Sequence, residues 1–299
     1  MPPHPDDLMP HLDCAALVDP RLATQPPSAV LPGALSHFGL RYAAMQGWRP
    51  LQLDLHVPAA QDAAPEPWPV VVYVHGGSFL AGIPTMGPWT SLPARGIAVA
   101  SVSYRLSGEA QFPEPVEDVR GAVQWIAEHA TRFGLDPERI ALWGSSAGGN
   151  LAALVAITGS RPLGRPHHSV RPGLAAQVSA VVTHYPVTAP SHLRSDATLS
   201  TAEESRALEA VMAQFFDGSA PHVPTALADH LAAASHVPPF LVMHGDADRR
   251  VDLQQSWQHH PKPSSGTDQL RGNPWTSSSR APASLASPQP TGSHVTVTP

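Results

Sequence analysis

Short uninterrupted apolar runs alternate with stretches of helical period along most of this chain. Val70 to Val74 and Ile97 to Val102 are continuous and rich in β-branched residues, as expected of strands buried on both faces. Arg139 to Trp143 and Phe240 to His244 read the same way, and Val178 to Val182 predicts one more strand. Between them, Pro115 to Arg132 places Val116, Val119, Val123 and Ile126 at helical spacing. Ala147 to Thr158 is a proline-free run of small residues and leucines, and Ala202 to Phe216 is helix-like. Leu40 to Ala44 and Leu51 to Val57, separated by Gly47 and Pro50, predict an opening antiparallel pair. Strands alternating with amphipathic helices predict an α/β fold with a mostly parallel central sheet and helices on both faces.

Composition narrows the class. A chain of 299 residues that is 42% apolar can fill one large α/β core. A formal charge of -6, with 14% charged residues and no basic run, argues against nucleic acid or an anionic membrane as partner. Small neutral substrates fit better. Cys14 is the one cysteine, so no intrachain disulfide can form. No run approaches the ~20 apolar residues of a membrane span. The first residues lack the positive start and apolar stretch of a signal peptide, so a cytoplasmic location is the expectation. Proline is abundant, with 35 residues; residues 1 to 33 read as a proline-bearing lead-in, Ala59 to Pro69 as a turn-rich connector, and 159 to 173 as a Gly, Pro, His and Arg loop.

Two motifs carry chemistry. Gly144-Ser-Ser-Ala-Gly148 sets Ser146 at the centre of G-x-S-x-G, between an apolar strand and a helix. In that context the serine hydroxyl is expected to stand at the sheet's carboxyl end, with the amide of Ala147 aimed at the same spot, a nucleophile elbow. His75-Gly-Gly-Ser-Phe79 directly follows the strand ending at Val74, and its paired glycines allow amides to point into a cavity. Gly76, Gly77 and Ala147 are therefore the expected oxyanion-hole donors, and His75 is expected to pack the loop. A third segment, His244-Gly-Asp-Ala-Asp248, follows the last clear strand and offers Asp248 as the carboxylate for a catalytic imidazole, with Asp246 serving the turn. Of the 17 histidines, the pairs at 167–168 and 259–260 have no partner ligands at metal spacing, so neither a metal nor a cofactor is expected.

On these residues the chain resembles the α/β-hydrolase superfamily, specifically the H-G-G carboxylesterase group related to hormone-sensitive lipase and to its feruloyl-esterase-like and kynurenine-formamidase-like branch. The matching stretches are H-G-G-S-F at 75–79, S-Y-R-L at 103–106, F-P-E-P-V-E-D-V at 112–119, F-G-L-D-P-E-R-I at 133–140, G-S-S-A-G-G at 144–149 and P-P-F-L-V-M-H-G-D-A-D at 238–248. The resemblance implies that Ser146 attacks a small carboxylic ester and that Asp248 orients a histidine that shuttles the proton. An arylformamidase acting on an N-formyl aromatic amide is the enzymatic alternative, since the same machinery attacks either carbonyl. Arg105 and Asp118 are expected to belong to the structural scaffold around the sheet and not to catalysis.

The resemblance sets the domain limits: a lead-in over 1–39 that could form a cap, a hydrolase domain over 40–258, and a tail over 259–299. The family pattern leads one to expect a histidine about thirty residues past the acid, and residues 275 to 285 contain none. Residues 261–299 hold eight serines and seven prolines among 39 residues, a composition expected to be disordered and to leave a sheet edge bare. Degenerate back-translation of residues 275–283 in a shifted frame permits Asp, three apolar residues and Pro-Gly-Ala-Gly, a strand and loop of the expected kind, so the tail reads as a frameshift product. The shifted triplet at Ser284, with a TCN codon, does not give histidine. His294, in Gly292-Ser-His294, is the one histidine beyond residue 260 and the candidate base. Without a working base the chain would be an impaired pseudo-hydrolase.

Overall fold

The β-branched runs assemble as their pattern predicts. The computed structural model describes residues 27–44, 49–59, 67–165, 177–193, 201–216 and 223–257, with the backbone of 293–298. In chain order the elements are β1 (Ala34–Ala43), β2 (Leu51–Pro58), β3 (Trp68–Val74), β4 (Ala98–Val102), α1 (Glu114–His129), β5 (Leu135–Ser145), α2 (Ala147–Thr158), β6 (Ala180–His184), α3 (Ala202–Phe216), α4 (Ala228–Leu231), β7 (Phe240–Gly245), α5 (Gln254–Trp257) and β8 (Ser293–Thr298). One eight-stranded sheet has the order β1-β2-β4-β3-β5-β6-β7-β8. The five strands from β4 to β7 in that order run parallel, and β1, β2 and β8 add antiparallel edges.

Period-two alternation divides the core between the two faces. On one face Val70, Val72, Val74, Ile140 and Leu142 share a buried cluster with Val119 and Val123 of α1 and Leu151 and Leu154 of α2. On the other, Tyr73, Val99 and Trp89 form a smaller cluster with Trp143 packed against it. Every residue of α2 is buried, which is why its sequence shows little polar face. Arg105 and Asp118 stay inside the scaffold as an ion pair at 2.7 Å, and the Arg105 amide also donates to Asp118. No helix among the described residues is long and apolar enough to cross a membrane.

Two boundaries differ from expectation. The sheet begins at Ala34, so residues 34–39 belong to β1 and not to a lead-in. Ser36 and His37 break the apolar pattern there because Ser36 is buried with its hydroxyl on His56 Nδ1 at 2.8 Å. In the tail, Ser293–Thr298 forms β8 and pairs antiparallel with β7 from Phe240↔Thr298 to Gly245↔Ser293, so the edge of β7 is covered. The cap over residues 1–26 and the low-complexity run over 258–292 lie outside the described residues, as do Cys14, Gly47 and the paired histidines.

Candidate active site

Parallel β3 and β5 end side by side, with Val74 opposite Gly144, and this registry brings the two glycine motifs together. The turn from β5 into α2 passes through Ser146 at φ 53°, ψ -119°. A non-glycine residue in that region is strained, and such strain persists only where the surroundings impose it. The serine itself carries the unusual conformation; the flanking glycines serve close approach. A Cβ at Gly144 would lie 2.2 Å from Gly148 O, and one at Gly148 would lie 2.1 Å from Val74 O. Helix α2 can therefore start only if both positions are bare.

The H-G-G loop is held against this elbow. A Cβ on Gly76 would come within 2.9 Å of Ser145 O and 3.4 Å of Ser146 Cβ. Gly77 has φ +127°, and a Cβ there would strike Ala81 O at 1.9 Å. His75 is buried, stacks on Tyr104 with centroids 4.5 Å apart, and places Nδ1 2.8 Å from Gly76 O. Tyr104 OH donates to His75 O at 3.0 Å. Burial lowers the His75 pKa, so the ring is a neutral packing element at pH 7. The amide of Ser146 donates to His184 O at 2.8 Å, whereas among the described residues none accepts from the amides of Gly76, Gly77 or Ala147. Three amides around the Ser146 turn thus keep their hydrogen-bonding capacity unspent.

A cleft of about 460 Å³ opens at the elbow, lined by Gly76, Gly77, Met86, Ser146, His184 and Tyr185 among others. Ala147 is buried behind it. Tyr73 and Ser145 also line the cleft, with their hydroxyls 3.1 Å apart. Tyr73, Ser145, His184 and Tyr185 escaped the motif-based reading. The signal that finds them is position: all sit at carboxyl ends of parallel strands or one residue beyond, where open α/β sheets bind ligands.

The loop after β7 carries the candidate acid Asp248, and this acid loop shows a division of labour. Asp248 Oδ1 accepts from the amides of Arg250 and Val251, both at 3.0 Å, which fixes the turn after β7. His244 is buried, with Nδ1 2.7 Å from Ser256 Oγ and Nε2 2.7 Å from Val251 O. Its Nε2 stands 3.8 Å from Asp248 Oδ2. With its hydrogen bonds spent on the loop and its pKa lowered by burial, His244 ties down the segment that carries the carboxylate. Asp248 does not line the cleft. The imidazole that does is His184, whose Nε2 lies 3.0 Å from Met243 Sδ and whose pKa burial also lowers. The backbone of His294 pairs with His244, at the carboxyl end of β7 and four residues before Asp248; its side chain lies outside the described residues. No group of three His, Cys, Asp or Glu side chains among the described residues could hold a metal ion.

Sheet order, elbow and glycine loop define an α/β-hydrolase. The comparisons with known proteins agree. The sequence profile of the BD-FAE family matches residues 53–262, and the chain belongs to that family. Esterase LipC of Mycobacterium tuberculosis is 31% identical over 233 residues, covering 75% of this chain and 55% of that protein. Carboxylesterase NlhH of the same organism is 44% identical over 101 residues, 33% of this chain and 31% of that protein. The chain thus spans about half the length of LipC and a third of NlhH. Among solved structures, butyrate-bound esterase Est2 of Thermogutta terrifontis superposes with a TM-score of 0.57 at 23% identity, covering 76% of this chain and 77% of that one. A bifunctional GH43-CE protein of Bacteroides eggerthii gives 0.59 at 26%, covering 75% and 32%.

Proposed function

We propose that the chain hydrolyses small carboxylic esters through an acyl-enzyme on Ser146. In this reading Ser146 Oγ attacks the ester carbonyl carbon while its proton passes to an imidazole. The carbonyl oxygen becomes an oxyanion held by the amides of Gly76, Gly77 and Ala147. Collapse of that intermediate breaks the bond to the alkoxy oxygen, and the imidazolium returns the proton to the departing alcohol. Water then attacks the acyl-enzyme by the same route, releasing the acid and restoring Ser146. Asp248 orients the imidazole and stabilises its charged form. His294 is the proposed base, supported by its pairing with His244 at the sheet edge from which the acid loop leaves.

The observation that carries the proposal is the left-handed Ser146 at the mouth of a cleft shared with Gly76 and Gly77. The names of the relatives LipC and NlhH, an esterase and a carboxylesterase, favour an ester as substrate. The test is p-nitrophenyl acetate hydrolysis by the full chain beside Ser146→Ala and His294→Ala, with circular dichroism to confirm folding. Losing a triad nucleophile or base costs on the order of a millionfold in turnover. Both variants should fall to background. Equal rates for the wild type and Ser146→Ala would overturn the proposal in favour of a pseudo-hydrolase, and an active His294→Ala would remove that residue from the triad.

A further inference from the structure

We infer that helix α3 is a brace that sets the oxyanion loop against the acid loop, with Phe215 and Leu208 as positioning residues for the proposed hydrolysis. The inference rests on that functional reading for its kinetic consequence. Its structural part stands separately.

The oxyanion loop needs an outside hold. Ser78 and Phe79 both adopt positive φ, 58° and 59°, a pair of strained residues immediately after Gly77. Hydrogen bonds anchor two backbone carbonyls of the loop, the Leu80 and Ala81 amides both donating to Gly77 O, at 3.0 and 3.1 Å, and the Ser107 amide to Phe79 O at 2.7 Å, but they leave the side chain to be held by other means. The hold is aromatic. The fully buried Phe79 ring stacks on Phe215 with centroids 4.0 Å apart and planes 9° from parallel, and Phe216 meets it edge-on at 5.6 Å. Phe112 packs against both phenylalanines of the helix, and its amide donates to Phe215 O at 2.9 Å. Only Ser78 separates Phe79 from Gly77, so the ring that α3 grips is the handle of the oxyanion glycine.

The same helix reaches the acid loop. Leu208 lies in a buried cluster with Val187, Leu193 and Val251, and Met212 packs on it. Val251 is one of the two residues, with Arg250, whose amides donate to Asp248 Oδ1. Positions 208, 211, 212 and 215 form one helix face at i, i+3, i+4 and i+7 spacing. Leu208 and Phe215 are two turns apart, about 10 Å at 1.5 Å per residue. A rigid helix of that span therefore touches the handle of each loop. The loops also meet directly, Arg250 Nη2 reaching Ser78 Oγ at 3.4 Å, but that contact is exposed and long.

The test combines amide hydrogen exchange with kinetics on the full chain carrying Phe215→Leu. Exchange at Leu80 and Ala81 should rise at least about tenfold while β3 and β4 exchange as in the wild type, the pattern of a local opening. In the same protein kcat on p-nitrophenyl acetate should fall by about 10- to 100-fold with KM within about twofold, since the oxyanion donors act on the transition state. Leu208→Ala should instead open Val251 and leave Leu80 and Ala81 protected. Should Phe215→Leu fail to fold, Phe215→Met, whose unbranched and adaptable chain fills irregular space without a ring, carries the same expectation. Unchanged exchange at Leu80 and Ala81, or a rise spread evenly over the sheet, would overturn the brace. A wild type no faster than Ser146→Ala would sink the hydrolase reading instead, while the exchange pattern still decides the brace.

Discussion

Gly148→Ala places the sharpest demand on the elbow geometry. The added methyl would sit 2.1 Å from Val74 O and 2.4 Å from His75 O, about 1.3 Å short of an ordinary contact. Both oxygens are backbone at the end of β3, where no side chain can rotate aside. Helix α2 must therefore withdraw by about an ångström, or the strand end must. Overpacking of this kind costs about 3 kcal/mol, which for a domain of this size lowers Tm by about 6–12 °C. The displacement also pulls Ser146 away from Gly76 and Gly77, and a misplacement of about 1 Å costs about 100-fold in kcat. Two other glycines supply the scale. A Cβ at Gly245 meets nothing within 4 Å, so Gly245→Ala should be neutral. Gly159 is equally open but has φ +56°, so Gly159→Ala should cost only the left-handed strain, about 1–2 kcal/mol, and leave kcat alone. Thermal melts and Ser146-dependent p-nitrophenyl ester hydrolysis of the three variants check the ranking. Wild-type Tm and kcat in Gly148→Ala would refute the argument that the second glycine exists for clearance.

Asp248→Asn separates the two tasks of that side chain: it keeps an oxygen for the Arg250 and Val251 amides but removes the charge. Expected is a fall in kcat of about 10³- to 10⁴-fold with Tm unchanged, whereas Asp248→Ala should also lose about 1–3 kcal/mol of stability. Full activity in Asp248→Asn would show that the acid lies elsewhere. His56 governs acid sensitivity. Burial, with a smaller contribution from His37, lowers its pKa to about 4, and it stacks on Trp89 at 4.6 Å. The unfolded imidazole takes up a proton below about pH 6.5 and the folded one does not, so stability is fully present above pH 6.5 and declines as pH falls toward 4. The amount is about 3 kcal/mol. Urea midpoints for the wild type and His56→Asn between pH 7.5 and 4.5 should converge as the pH drops; parallel curves would exclude His56 as the cause.

How much the sequence discloses depends on the scale at which it is read. The bounds of α2 and α3 follow from period and from the absence of proline, and the residue-by-residue runs of β3 and β4 are legible because both faces are buried. The G-x-S-x-G and H-G-G loops are legible because backbone clearance leaves glycine no substitute. The roles of their glycines are less so: a bare G-x-S-x-G suggests that glycine makes the turn, whereas Ser146 makes it and Gly148 yields space to Val74 O. His184 and Tyr185 carry no motif, because a cleft-lining side chain is chosen by where its strand stops. β8 is hidden by the composition of the residues before it. Over 39 residues serine and proline dominate, but Ser293 to Thr298 alone alternates polar and β-branched residues with period two.

That short strand changes the meaning of the unusual tail. A β7 with no neighbour would present free amides and carbonyls to any other chain. Antiparallel pairing with six residues satisfies that ladder, and the turn direction has a second consequence. Because β8 runs against β7, its amino-terminal end, carrying Ser293 and His294, arrives at the carboxyl end of the parallel strands. A parallel strand of the same composition would deliver its first residues to the opposite end of the sheet, far from Ser146. The antiparallel direction is thus what makes His294 eligible as a base at all. Reversing the order of residues 293 to 298 would keep the composition and the β propensity while moving the histidine toward the other end. Loss of Ser146-dependent hydrolysis with an unchanged Tm would tie the activity to the histidine's place at that end of the sheet, and retained hydrolysis would exclude His294.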